Sequence, residues 1–112
     1  MDEFKIDIRN DILIFKVDVI IATHRDAKPM WDEFENHFLF NHKKIIIDIS
    51  FCNTVDSTFI GMIIKIFRKI NEKNGQLKLV YPQVPGDIFL LTGVPKIIDC
   101  YDNLDKAINS FD

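Results

Sequence analysis

The sequence predicts a single α/β domain with a mixed, mostly parallel sheet of about five strands and about four helices. Three observations carry this reading. Strand-like and helix-like apolar patterns alternate along the chain, the run Ile45-Ile46-Ile47-Asp48-Ile49 is apolar almost throughout, and no repeat, low-complexity tract or long linker interrupts the alternation. Alternating elements build parallel sheets through right-handed crossovers, and a strand with no polar side is one covered on both faces. At 112 residues the chain holds one core and is too short for two, so the domain is expected to span residues 1–112.

Residues 4–8 alternate apolar with polar, and residues 12–21 form a second β-favouring run. Arg9-Asn10-Asp11 between them reads as a tight turn, which predicts an opening hairpin. Asp26 is placed to cap a helix beginning near Ala27 or Pro29, in which Met30, Trp31, Phe34, Phe38 and Leu39 recur at helical spacing; it is expected to stop near Asn41. After the central strand and a loop over residues 50–55, a long helix is expected over residues 57–73, ended by Asn74-Gly75 with glycine in its usual C-terminal role. The next strand covers residues 77–81. Pro82, Pro85 and Gly86 mark a loop, Asp87 can cap a short helix through Leu91, and Gly93-Val94-Pro95 is expected to stop it before a last strand over residues 97–101. Asp102 then caps a final helix with Leu104, Ala107, Ile108 and Phe111 on one face.

Composition removes several classes of function. With 47% hydrophobic and 28% charged residues the chain is globular, and a net charge of −3 lacks the broad basic footprint of a nucleic-acid binder. Met1-Asp2-Glu3-Phe4-Lys5 has no signal-peptide pattern, and no run of about 18 apolar residues occurs to span a bilayer, so the expected address is the cytoplasm, with no membrane partner. Cys52 and Cys100 form neither a C-x-x-C pair nor a framework and are expected to be buried thiols. Gly61, Gly75, Gly86 and Gly93 are too scattered for a phosphate loop, and His24, His37 and His42 lack metal-ligand spacing. Neither a cofactor nor a metal site is expected. An aspartate after a central strand also suits a phosphoacceptor receiver, but Ile20-Ile21-Ala22 offers no acidic pair for a cation and Cys100-Tyr101 no lysine. No nucleophile with a nearby base can be assembled, so the chain is not expected to be an enzyme.

The informative stretch runs from Asp48 through Ser50 and Asp56-Ser57-Thr58 to Gly61: core strand, loop, then a helix opened by an acidic residue and two hydroxyls. Asp56 or Ser57 serves as the helix N-cap. A hydroxyl there is exposed at the positive end of the helix dipole and can carry a phosphate, which would add about −1.5 to −2 charges beside Asp56. Along the helix, Phe59, Ile60, Met62, Ile63, Ile64, Ile66, Phe67 and Ile70 cover an arc of about 200°. Either the helix is buried between the sheet and a neighbouring helix, or its Phe59, Met62 and Ile66 edge stays exposed as a contact patch next to Ser57.

The strand before Asp48, the triplet Asp56-Ser57-Thr58, the block Gly75-Gln76-Leu77-Lys78-Leu79-Val80 and the block Leu90-Leu91-Thr92-Gly93-Val94 together resemble the STAS domain of anti-sigma factor antagonists over residues 4–112. The chain departs from that family's D-S-[ST]-G-L-G at Phe59-Ile60-Gly61, and has Asp18-Val19-Ile20-Ile21 where the family often carries a glycine and an aspartate. The resemblance implies a regulatory, protein-binding role. Ser57, with Thr58 as second choice, would be phosphorylated by a serine kinase anti-sigma factor and reset by a PP2C-type phosphatase, with Asp56, Ser57, Thr58, Phe59, Met62 and Ile66 meeting the partner. As a switch protein the chain is expected to be a monomer or weak homodimer. The alternative is a STAS adaptor that never switches, a subunit of a larger signalling or transport assembly with Phe59 and Met62 buried against its partner.

Overall fold

Asn10 and Asp11 both adopt positive φ, 50° and 65°, the two-residue turn whose twist matches the strands it joins. They link β1 (Phe4–Arg9) to β2 (Ile12–Val17) in the antiparallel hairpin that the alternation predicts. The computed structural model describes residues 3–81 and 93–111. The main sheet has five strands in the order β1-β2-β4-β6-β7, where β4 is Lys44–Asp48, β6 is Gln76–Val80 and β7 is Asp99–Tyr101. Every pairing beyond the hairpin is parallel. The run of residues 12–21 is not one strand, however: it leaves the sheet after Val17, and β3 (Ile21–Ala22) pairs instead with β5 (Thr54–Val55) in a separate two-stranded parallel sheet.

β4 explains its own sequence. Ile45 and Ile47 point to one face, Ile46 to the other, and all three are fully buried. On the first face they join Leu13, Phe15, Leu77 and Leu79 beneath α1 (His24–Asn36) and α2 (Ser57–Glu72). On the second, Ile46 joins Ile12, Ile14 and Val80 beneath α4 (Leu104–Asn109), with Tyr101, Leu104, Ile108 and Phe111 packed around Ala107.

Several boundaries differ from the sequence reading, each for a local reason. Thr23, not Asp26, caps α1; Asp26 lies one turn in and closes a capping box, its carboxylate accepting the Thr23 amide at 2.9 Å. Pro29 therefore sits inside the helix. α1 ends at Asn36 because Phe38 turns left-handed (φ 54°); a 3₁₀ turn over Leu39–Asn41 follows, so Leu39 and Phe40 are buried while Phe38 is 72% exposed. Gly93 and Pro95 start a helix rather than stop one. Gly93 is a left-handed N-cap (φ 73°) and Pro95 lies in the first turn of α3 (Val94–Ile97), where its missing N–H costs nothing, which shortens the last strand to β7. Asn103 caps α4, accepting the Lys106 amide at 2.9 Å, while Asp102 pairs with the Lys106 ammonium. The expected short helix at residues 87–91 lies outside the described residues.

Candidate functional site

The small β3–β5 sheet brings two helix starts together. β3 runs into α1 and β5 into α2, so parallel pairing of these strands sets the two N-termini side by side. Asp56 holds the junction. Its backbone amide donates to the Ala22 carbonyl (3.0 Å), its Oδ1 accepts the Phe59 amide (2.8 Å), and its Oδ2 accepts the His24 amide (2.8 Å). One carboxylate thus caps α2 and ties it to the first residue of α1; the His24 ring stands beside the same oxygen, Nδ1 at 3.8 Å.

This settles which residue caps the helix and what is left over. With the Phe59 and Ile60 amides taken by the carboxylate and carbonyl of Asp56, the amides of Ser57 and Thr58 are those a helix end leaves open. Ser57 and Thr58 are exposed, and their hydroxyls make no side-chain hydrogen bond among the described residues. Asp56 is half-buried.

The approach from β4 is built the same way. Asp48, nearly buried at the end of the strand, accepts the Ser50 amide with Oδ1 at 2.9 Å and turns the chain out of the sheet. Cys52 fills the space beneath, and the Asn53 and Thr54 amides both donate to the Ile20 carbonyl. Burial, reinforced by the carboxylates of Asp26, Asp48 and Asp18, pushes the Cys52 thiol up to about 12; burial with Asp99 pushes the half-buried Cys100 up to about 11. These thiols are structural.

Of the two readings of α2, burial between the sheet and a neighbouring helix holds and the exposed contact edge does not. Phe59 and Ile66 are completely buried and Met62 nearly so, all three in the core between sheet and α1, because the helix packs on the sheet with one flank and on α1 with the other. Phe59 therefore points inward and leaves the surface around Ser57 unobstructed. Beside it a groove of about 660 Å³ runs between α1 and α2, bordered by His24, Trp31, Thr58, Met62 and Lys65. Gly61 opens it: a Cβ built there would meet nothing within 4 Å. Exposed apolar side chains lie instead on the segments that precede α1 and α2. Ile20, Ile21 and Phe51 are 57–59% exposed, on the two segments that the Ile20 carbonyl joins. The sequence reading missed them; an aromatic residue in a polar turn, Ser50-Phe51-Cys52-Asn53, was the available signal.

No cluster of three or more metal-ligating side chains occurs among the described residues, and no described helix is long and apolar enough to cross a membrane. What the arrangement offers is an exposed hydroxyl at a shared pair of helix N-termini, with a groove beside it.

These features describe an α/β domain with an exposed hydroxyl at paired helix N-termini and a groove beside it. The chain belongs to the STAS domain family, whose model matches residues 3–107. A Thermotoga maritima protein named "putative anti-sigma factor antagonist" is 29% identical over 86 residues, covering 76% of this chain and 74% of the relative. A crystal structure of a Thermotoga maritima protein so described superposes with a TM-score of 0.79 at 23% identity, covering 97% of this chain and 94% of that one. The anti-sigma factor antagonist SpoIIAA in its unphosphorylated form gives 0.73 at 14% identity over 96% of each chain. A Bacillus SpoIIAA in its phosphorylated form gives 0.69 at 13%, over 97% of this chain and 99% of that one. At such identities the structural likeness establishes the shared fold.

Proposed function

We propose that the protein is an anti-sigma factor antagonist whose binding to a serine kinase anti-sigma factor is switched off by phosphorylation of Ser57 and restored by a PP2C-type phosphatase. The observation that carries the reading is the division of labour at the start of α2. Asp56 supplies the cap, and the neighbouring Ser57 hydroxyl is exposed and makes no hydrogen bond among the described residues. A phosphate on Ser57 would meet the open first-turn amides and the positive ends of two helices without disturbing the core. It would also set a second negative group beside Asp56, a charge that would repel a partner seated on this end of the helix. SpoIIAA, whose structures in phosphorylated and unphosphorylated forms share this fold, supports a modification that the fold accommodates. The role is that of a cytoplasmic regulator of transcription, substrate of its partner rather than enzyme. The alternative of a permanent adaptor needs Phe59 and Met62 available to a partner, and this chain buries both in its own core.

The test is incubation with the cognate serine kinase anti-sigma factor and ATP, followed by intact-mass analysis and mapping. One phosphate on Ser57, loss of it in Ser57→Ala, and weaker kinase binding by Ser57→Asp are expected. Equal binding by wild type, Ser57→Ala and Ser57→Asp rules the switch out.

A further inference from the structure

β1 is an edge strand with an unusual pattern on its free side. The Glu3 carbonyl accepts the Asp18 amide at 2.7 Å, so Glu3 turns its main chain toward β2. Alternation along an antiparallel strand then puts the main-chain groups of Lys5, Asp7 and Arg9 inward, and those of Phe4, Ile6 and Ile8 outward. The Ile8 amide meets only the carboxylate of its neighbour, Asp7 Oδ1 at 2.9 Å, and no strand pairs with this edge among the described residues. Phe4, Ile6 and Ile8 lie opposite Val17, Phe15 and Leu13, on the face that carries α1 and α2. Ile6 remains 44% and Ile8 58% exposed. On the other face stand Glu3, Lys5, Asp7 and Arg9, alternating in sign.

We propose that β1 pairs antiparallel with β1 of a second copy of this chain, about a two-fold axis at Ile6, continuing the sheet across two protomers. With Ile6 opposite Ile6, Lys5 faces Asp7, Glu3 faces Arg9 and Phe4 faces Ile8, so every charged pair is of opposite sign and every apolar pair lies on one face. The outward main-chain groups of residues 4, 6 and 8 are in phase to bond across the axis. Neighbouring registers fail on charge. An axis at Asp7 sets Asp7 against Asp7 and Lys5 against Arg9, and an axis at Lys5 sets Lys5 against Lys5 and Glu3 against Asp7. A one-residue slip places apolar side chains opposite charged ones. Charges on an edge strand ordinarily repel other strands, but this sequence of signs attracts its own antiparallel copy. The pairs that Lys5 and Arg9 make within the chain, to Asp18 and Asp7 at 3.0 Å, are solvent-exposed and weak enough to exchange. The contact is isologous and includes neither Asp56 nor Ser57. Two six-residue edges make a small interface, so the dimer is weak.

Sedimentation equilibrium from micromolar to about 1 mM protein tests this. Wild type is expected to dimerise reversibly, and Lys5→Glu and Asp7→Lys each to weaken the dimer at least about tenfold. An equimolar mixture of the two variants is expected to associate again, because each new charge then faces its opposite. Ile6→Pro removes the outward amide at the axis, a substitution that an edge strand tolerates, and is expected to be monomeric with an unchanged far-UV circular dichroism spectrum. A wild type that stays monomeric throughout, or a dimer indifferent to Ile6→Pro and to both charge reversals, overturns the proposal.

Discussion

The two carboxylate oxygens of Asp56 hold different helices, and this makes Asp56 and Ser57 separable although they are neighbours in sequence. Asp56→Ala removes an N-cap and the tie to α1, and is expected to cost about 1–2 kcal/mol in urea unfolding. Ser57→Ala removes an exposed hydroxyl that has no partner among the described residues and should stay within about 0.5 kcal/mol of wild type. Equal losses for the two would contradict the cap assignment. The cysteines give a second prediction at this scale. With thiols at about 12 and about 11, both are almost entirely protonated at pH 8, so a thiol-specific reagent should label them only after unfolding. The linkage has one sign. Native values above the ordinary 9.0 mean that the folded state keeps protons that the unfolded state releases. Their contribution to stability is therefore full below pH 9 and is lost as pH rises through the native values. The melting temperature should fall more gently over that range in Cys52→Ala than in wild type.

At the scale of the element, α2 shows how a helix is ended and how it is held. Asn74, not Gly75, adopts the left-handed conformation (φ 63°); its amide donates to Asn71 and the Gly75 amide to Ile70, which is a Schellman motif. Gly75 is required for a different reason. A Cβ there would lie 2.8 Å from Ile70 Cγ2 and 3.2 Å from the His42 carbonyl. Gly75→Ala is thus expected to destabilise by about 1–3 kcal/mol through overpacking, while Asn74→Gly should be neutral or slightly stabilising; a urea titration of both separates space from backbone conformation. The buried flank of α2 carries more weight than its ends. Phe59→Ala empties a site that no water reaches and is expected to cost about 3–5 kcal/mol.

Across the whole molecule, two cores of unequal size share one sheet. The larger lies under α1 and α2, and the smaller depends on the short C-terminal helix. Lys78 fastens that helix. It is nearly buried on β6, its ammonium donates to the Ser110 carbonyl (3.1 Å) and hydroxyl (2.8 Å), and it lies 4.4 Å from the centre of the Phe111 ring. Cation–π attraction and two hydrogen bonds stand in for a counter-ion there. Lys78→Ala is expected to destabilise the protein by about 2–4 kcal/mol. Amide exchange should speed up at Ala107 and Ile108 well before β4; uniform loss of protection would show that α4 is not a separately releasable unit.

The fold and the capped start of α2 were legible because both rest on local patterns. The two-sided burial of β4 leaves an unbroken apolar run, the hairpin leaves its turn residues, and a helix after a strand needs a capping residue where Asp56 stands. Tertiary structure alone decided how those pieces face one another. Whether the wide apolar arc of α2 is a core or a docking edge depends on α1 lying against it, and the helix sequence admits both readings without saying which neighbour covers it. The split of residues 12–21 depends on β5, more than thirty residues away, offering Ile21 and Ala22 a partner outside the main sheet. The exposure of Ile20, Ile21 and Phe51 follows from the same arrangement. Periodicity records how a segment alternates between core and solvent, whereas which neighbour supplies the core is a property of long-range packing.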